Sequence, residues 1–398
     1  MQYLYPVPTL LWIVVVVCLA GVLHTYLVYP RWVVARYGGP AAAPGAEPAT
    51  GWPPVAVLMA VHNEERVLGD KLATLLAADY PGELRFFVGS DRSTDTTDDI
   101  LAATDDARLH AVYFSRRRGK PAIINELAER AGRRGVYVIT DASVLLEPAT
   151  IRELVRPLRR NAALGVVDAR MVHTGMRAAG IGRSEERYID GEVAVKRAEG
   201  RWAGVMMGPF GGCWAIRAAA FRPVPDNFLV DDFYLCMRAY EQGYGGGAAG
   251  AARVYEAVGQ RLGDEFRRKV RISSGNWQNL VRFRKLWWPP WRSRLAFAFF
   301  SHKVLRWWTP LLLLLALLAL LLLYFGYGNH PAGLSLFWGT LAVGGATVLD
   351  WLLATLGVHL APLRHLRYFV AMNAALLVGG YRYLTGIKSN VWQPSKRH

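Results

Sequence analysis

Carboxylates and amides recur in this chain where apolar runs give out. The run VAVLMAV is followed by His62, Asn63 and Glu64. LRFFVGS leads into Asp91 and then Arg92, Ser93, Thr94 and Asp95. VYVIT leads into Asp141, Ala142 and Ser143. Any one of these has a plain structural use: Asp95 can cap a helix and Asn63 can complete a turn. Three such groups at successive strand ends would instead line one crevice. Cations stand beside them. Lys120, in RRRGKPA, falls where a helix opens, and a free helix N-terminus is itself an anion-binding device. Oxygen ligands suit a divalent cation such as Mg²⁺ or Mn²⁺, and the cations suit the phosphates of a nucleotide diphosphate. A second acidic pair, Asp231 and Asp232, precedes Phe233. It can be a proton acceptor or simply charge placed at a helix N-terminus. Gly211 and Gly212, in GPFGGCW, either let backbone approach a ligand or make a tight turn. No activating histidine is near Cys213 in sequence, so its thiol reads as packed rather than nucleophilic.

These groups need elements to hold them. VAVLMAV is apolar throughout, as for a strand covered on both faces. Residues 64–78 have a helical pattern, 84–90 a strand pattern, 94–103 helix, 109–114 strand, 121–131 helix and 136–141 strand. Pro148 opens a further helix. Repeated strand–helix units predict an α/β fold with a mainly parallel sheet and its chemistry at the strand C-terminal ends.

Composition narrows the setting. Hydrophobic residues at 53% with charged residues at 20% exclude a disordered chain. A formal net charge of +16 calls for an anionic partner: nucleic acid, a phospholipid surface or an anionic substrate. The apolar runs point to a bilayer, and no nucleic-acid recognition motif accompanies the basic surface. Three cysteines cannot make a disulfide framework.

Residues 10–28 carry no formal charge and are long enough to cross a bilayer; a cleaved signal peptide is the competing reading. Residues 310–327 and 334–356 are further apolar runs. Residues 368–386 are weaker and contain Asn373, two glycines and Arg382; they read as re-entrant or interfacial, with a full fourth span as the alternative. Trp287, Trp288, Trp291, Trp307 and Trp308 sit among basic residues like an aromatic belt. Asp350, inside an apolar run, should pair with an arginine or asparagine of a neighbouring segment. The organisation expected is a transmembrane anchor at 1–36, a linker at 37–54, an α/β domain at 55–285, an interfacial segment at 286–308, transmembrane and re-entrant helices at 309–386, and a tail at 387–398. Arg31 and Arg36 follow the first run and nothing basic precedes it. The positive-inside rule then places the N-terminus outside, with the α/β domain and the tail in the cytoplasm.

PPVAVLMAVHNEE, GSDRSTDTT, RGKPAIINE, TDAS and FLVDDFYLCMRAYEQGY occur here in the order found in family 2 glycosyltransferases. The resemblance covers about 53–277 and the tail VWQPSKR, and the membrane arrangement resembles bacterial polysaccharide and glycolipid synthases. It implies a GT-A fold and inverting sugar transfer from a nucleotide-sugar, a UDP-sugar by preference, with Mg²⁺ or Mn²⁺. The acceptor would be a lipid or a short glycan at the cytoplasmic face of the inner membrane. It also implies roles. Asn63, Glu64 and Asp91 would hold the nucleoside, and Lys120 the base and ribose edge or the phosphates. Asp141, with Ser143, would form the metal motif. Asp232, beside Asp231, would be the general base. Arg268 and Arg271, in RRKVRISSGNW, would clasp the diphosphate. Gly211, Gly212, Cys213 and Trp277 would lie toward the acceptor.

Two departures matter. Ser143 stands where a second metal carboxylate is usual, which weakens the cation site. Ile272 stands where polymerising members carry a tryptophan, and the neighbouring glutamine is also missing, which argues against processive synthesis. A processive exopolysaccharide synthase and a non-catalytic protein on a degenerate fold remain as alternatives; retention of both Asp141 and Asp232 speaks against the second. The charge pattern makes one outcome measurable. A cysteine placed at Ser395 should be inaccessible to an impermeant thiol reagent applied outside sealed cells; labelling there would instead make residues 368–386 a full span.

Overall fold

The computed structural model describes residues 6–39, 51–174, 182–257, 262–326, 331–356, 358 and 360–387. The chain begins with α1 (Pro6–Leu23), which continues through a π-helical turn at His24–Val28 into α2 (Tyr29–Tyr37). The α/β unit then runs β1 (Val55–Val61), α3 (Leu68–Leu76), β2 (Leu84–Ser90), α4 (Thr97–Ala102), β3 (Leu109–Tyr113), α5 (Lys120–Ala131) and β4 (Val136–Thr140). It continues with β5 (Val144–Leu146), α6 (Thr150–Arg160), β6 (Leu164–Thr174), α7 (Gly182–Ala203), β7 (Cys213–Arg217), α8 (Asp231–Glu241) and β8 (Gly245–Ala257). The remainder is helical: α9 (Leu262–Arg282), α10 (Arg284–Trp287), α11 (Arg294–Phe299), α12 (Leu305–Gly326), α13 (Pro331–Thr355) and α14 (Ala361–Leu384).

The eight strands form one sheet in the order β3-β2-β1-β4-β7-β6-β8-β5. β1 is parallel to both β2 and β4, and β2 is parallel to β3. The first four strands thus follow the expected parallel pattern, and β1 is buried at every position. Beyond β4 the sheet turns mixed. β7 runs antiparallel to β4 with Cys213 opposite Thr140, so the glycine loop before β7 is delivered to the C-terminal end of β4. β5 runs antiparallel to β8, with Val144 opposite Glu256. Apolar cores fill both faces of the sheet. One holds Leu68, Leu72 and Leu75 of α3 with Ile151, Leu154 and Leu158 of α6. The other joins Ile123, Ile124 and Leu127 of α5 with Phe233 and Met237 of α8, and reaches Tyr29, Phe299 and Trp307 of the apolar helices.

Two continuous helices, Val7–Tyr37 and Arg294–Gly326, are long and apolar enough to cross a membrane. They pack through Val15, Ala319, Leu320 and Leu323, while Ile13, Val16, Leu314 and Leu318 stay exposed on the outer faces. The apolar helix at the C-terminal side therefore starts at Arg294, well before the run expected from residue 310. α14 is one uninterrupted helix and lies along α9. Ser273 and Ser274 of α9 donate to the carbonyls of Leu376 and Gly379 at 2.9 and 3.1 Å. Asp350 pairs with Arg367 at 2.7 Å, joining α13 to α14. Most of the linker and the tail beyond residue 387 lie outside the described residues.

A buried polar cluster ties α7 to the apolar helices. Glu192 receives Arg306, meets His302 Nε2 at 3.0 Å and lies 3.4 Å from Lys303. Glu199 meets His302 Nδ1 at 2.6 Å and accepts from the Tyr29 hydroxyl at 2.9 Å. Removing one member of such a cluster strands the others, which typically costs about 3–5 kcal/mol. Glu192→Ala should therefore lower the unfolding midpoint in detergent clearly; an unchanged midpoint would show that the cluster does not hold the junction.

Candidate active site

The crevice opens at the C-terminal ends of β1, β2 and β4, where the sheet order reverses around β1. Asn63 has φ +52, the compact conformation that asparagine tolerates better than most residues. Its Oδ1 accepts from Thr94 N at 2.8 Å, tying the turn after β1 to the turn after β2. Glu64 N donates to Thr97 Oγ1 at 2.8 Å. Asp95 serves the local structure: its carboxylate accepts from Thr97 N at 3.0 Å and Glu65 N at 3.2 Å.

Asp91 is fully buried and takes three donors: Arg118 N at 2.7 Å, Gly119 N at 3.0 Å and Arg117 Nε at 3.2 Å. Both its oxygens are engaged with the basic loop. In this geometry Asp91 fixes Gly119, the left-handed residue with φ +83 that opens α5, and so places Lys120. His62 backs the same loop: Nδ1 meets the Asp91 carbonyl at 3.0 Å and Nε2 meets Arg117. Sequence reading placed His62 at the strand end without giving it a role and missed Arg117; the signal was a histidine directly after a buried strand and an arginine run before a helix.

Lys120 Nζ lies 2.7 Å from Asp141 Oδ1 and 4.0 Å from Asp231 Oδ2. Burial disfavours its charge, but Asp141, Asp231 and Asp232 more than offset this and hold its pKa above the ordinary lysine value. Asp231 is buried and Asp232 half-buried at the start of α8. Burial, reinforced by the charge of Asp231, pushes the Asp232 carboxyl up to about 7 against the pull of Lys120. Arg271 donates to the Leu229 carbonyl at 3.3 Å, and its buried Nε has no hydrogen-bond partner among the described residues. Arg268, exposed one turn earlier, pairs with Glu265 at 3.4 Å.

Asp141 is partly exposed, and its backbone N–H donates to the Gly212 carbonyl at 3.0 Å. The Ser143 hydroxyl donates to Glu256 at 3.4 Å, a carboxylate from β8 that the sequence did not single out. Buried Asp231 Oδ2 has no hydrogen-bond partner. An orphaned carboxylate oxygen near the open Asp141 is the all-oxygen chemistry that a hard divalent cation takes. Among the described residues no group of three or more His, Cys, Asp or Glu side chains is arranged to hold a metal ion.

The glycine loop reaches the same place. Gly211 has φ +88, and a Cβ there would lie 2.4 Å from Asp232 Oδ2. Gly212 backs onto Met171 and Val144. Cys213 is buried and its thiol is pushed up to about 11 by burial, consistent with packing. Trp277 sits in the seam between α9 and α14, its ring stacked on Tyr383 at 6.4 Å and its Nε1 against Gly380.

The model described as Glycosyl transferase family 2 matches residues 56–224, and that described as Glycosyl transferase family group 2 matches residues 194–327. None of the curated proteins compared with the chain matches it. Among solved structures, the mannosyltransferase PcManGT from Pyrobaculum calidifontis, in complex with GDP-Man and Mn²⁺, superposes with a TM-score of 0.69 at 21% identity, over 94% of this chain and 99% of that one. S. aureus TarS 1-349 in complex with UDP-GlcNAc gives a TM-score of 0.40 at 15% identity, over 56% and 66%. Glucosyl-3-phosphoglycerate synthase from Mycobacterium tuberculosis, in complex with Mn²⁺, UDP and glucosyl-3-phosphoglycerate, gives 0.41 at 18%, over 58% and 80%. The fold is that of the GT-A glycosyltransferases. Within that fold, residues 56–224 and 194–327 are similar to the two family 2 models.

The close approach of Gly211 to Asp232 makes a sharp test. A misplacement of ~1 Å at a reacting group can cost about 10²-fold in rate. Gly211→Ala should cut turnover by about that much while nucleotide binding, measured calorimetrically, stays near wild type. A fully active alanine variant would show that the loop does not confine Asp232.

Proposed function

We propose that the protein is an inverting glycosyltransferase moving a hexosyl or N-acetylhexosaminyl group from a nucleotide-sugar to a lipid-linked or short glycan acceptor at the cytoplasmic face of a membrane. The observation that carries the reading is the meeting of Asp141, Lys120 and Arg271 with the acidic pair Asp231 and Asp232 at one crevice. Arg271 and Lys120 supply positive charge where a diphosphate leaving group develops negative charge. Asp141 and Asp231 are the groups that would hold Mg²⁺ or Mn²⁺, which would add further charge neutralisation on the diphosphate. The Pyrobaculum enzyme, similar along nearly its whole length, was solved with such a nucleotide-sugar and Mn²⁺.

Asp232 is the general base of this proposal. A carboxyl with its pKa near 7 is matched to taking a proton from an acceptor hydroxyl at neutral pH. Attack on the anomeric carbon opposite the diphosphate is a single displacement and inverts the anomer. The two long apolar helices support a membrane setting, because their outer faces expose Ile13, Val16, Leu314 and Leu318. Ile272 in the late motif supports single transfer over processive extension.

The test is a radiolabelled donor panel, UDP-sugars and GDP-mannose, on the purified protein in lipid with product sizing. Asp232→Asn should lose about 10²–10⁴-fold in turnover and keep donor affinity within a few-fold. Asp141→Asn should lose both donor binding and transfer, and excess EDTA should stop the wild type. Normal turnover by Asp232→Asn with Asp231→Asn inactive would move the base to the neighbouring carboxylate; activity in both would overturn the site.

A further inference from the structure

α3 presents Leu68, Leu72 and Leu75 to the core, and Lys71 lies in the same buried stripe. Its side chain is fully buried and reaches no carboxylate within ion-pair distance among the described residues. Taking an ammonium out of water without a counter-charge is costly, and a stripe position on a helix is ordinarily filled by an apolar side chain. The Lys71 ammonium spends its hydrogens on two groups. It donates to Thr140 Oγ1 at 2.8 Å and to the Val144 carbonyl at 2.5 Å. These residues bracket the three-residue turn 141–143 that carries Asp141 and Ser143. The chain of contacts runs on: Thr140 Oγ1 donates to the Gly212 carbonyl at 3.0 Å, the same oxygen that accepts from Asp141 N. Gly211, next to it, abuts Asp232.

We propose that Lys71 is a positioning residue for sugar-nucleotide binding: it clamps both ends of the 141–143 turn from beneath the sheet and sets the aim of Asp141. The inference rests on the function proposed above. It explains why a buried lysine is kept at an apolar stripe position. It also gives the turn with only one motif carboxylate a rigid support, which a sparse ligand set needs more than a full one. Groups that orient a ligand residue typically change metal affinity or activity by about 10–100-fold when removed. Burial pushes Lys71 down to about 8, while Cys213 and Asp141 pull the other way, so its ammonium form predominates at neutral pH.

Lys71→Met keeps the length and volume of the side chain and removes the donor. Removing the ammonium relieves a buried charge without a counter-charge but takes the donor from the Val144 carbonyl, two effects that oppose each other. The variant should therefore unfold near the wild-type midpoint. Its affinity for Mn²⁺ with UDP or GDP, followed by Mn²⁺ electron paramagnetic resonance and calorimetry, should fall about 10–100-fold. Lys71→Arg should recover part of that loss. Thr140→Val, which removes the hydroxyl at one end of the clamp, should weaken Mn²⁺–nucleotide binding in the same direction; this variant decides the matter if Lys71→Met does not fold. Wild-type affinity in either soluble variant overturns the proposal, as does a lowered midpoint with unchanged affinity, the mark of a merely structural lysine. If the wild-type protein binds no Mn²⁺–nucleotide, the functional reading and this inference fall together; if it binds and the variants bind equally, only the positioning role falls.

Discussion

Three carboxylates, Asp141, Asp231 and Asp232, are gathered around one ammonium, that of Lys120. Left to themselves they would repel, and their partial burial makes the repulsion stronger than it would be in water. The fold holds them together by anchoring the four groups to three elements: Asp141 to the end of β4, Asp231 and Asp232 to the first turn of α8, and Lys120 to the start of α5. The helix N-terminus at α8 eases the acidic pair, and Arg271 brings a second cation. The residual strain shows in Asp232, whose carboxyl rises to about 7. The proposed ligand, with its own cation and a phosphate pair, would relieve one of these unfavourable interactions with each half.

Much of this arrangement was legible in the sequence because its first half is local. β1, β2 and β4 each end at candidate site residues, so apolar runs, turn residues and charges fall in sequence order. The second half is not written that way. β8 begins GGGAAGAA, with neither strand alternation nor bulk, and is held by its pairing with β6 and β5. β7 enters antiparallel beside β4, which is why Gly212 meets Asp141 across 71 positions of chain. No periodic signal encodes such a meeting. Asp91 shows another limit. As a residue type it reads as a ligand group, but only the three-dimensional placement shows its oxygens already committed to Arg117, Arg118 and Gly119.

The apolar-helix half was legible in outline, and its packing was not, for the same reason. Apolar runs mark the helices, and the pairing of Asp350 with Arg367 follows from the cost of an isolated charge among apolar side chains. The packing of α14 along α9 depends instead on close backbone approach. A Cβ at Gly379 would come within 2.3 Å of Ser273, and glycines at this seam admit the serine hydroxyls to the carbonyls of α14. α9 also carries Arg271, so the helix that serves the crevice on one side is braced by α14 on another.

The buried cluster at Glu192 and Glu199 completes the connection between the two halves. One oxygen of Glu199 takes Tyr29 of α2 and His302 of the turn between α11 and α12. Its other oxygen accepts from Met207 N at 3.1 Å. Met207 begins the glycine loop that runs through Gly211, where the Cβ-free backbone touches Asp232, to Gly212 at Asp141. A single carboxylate thus fastens both apolar helices and the start of the loop that borders the acidic pair. Because buried polar clusters hold only when every member is satisfied, a displacement of α2 or α12 cannot leave that loop's anchor unchanged. The apolar helices are therefore part of the framework that places the glycine loop.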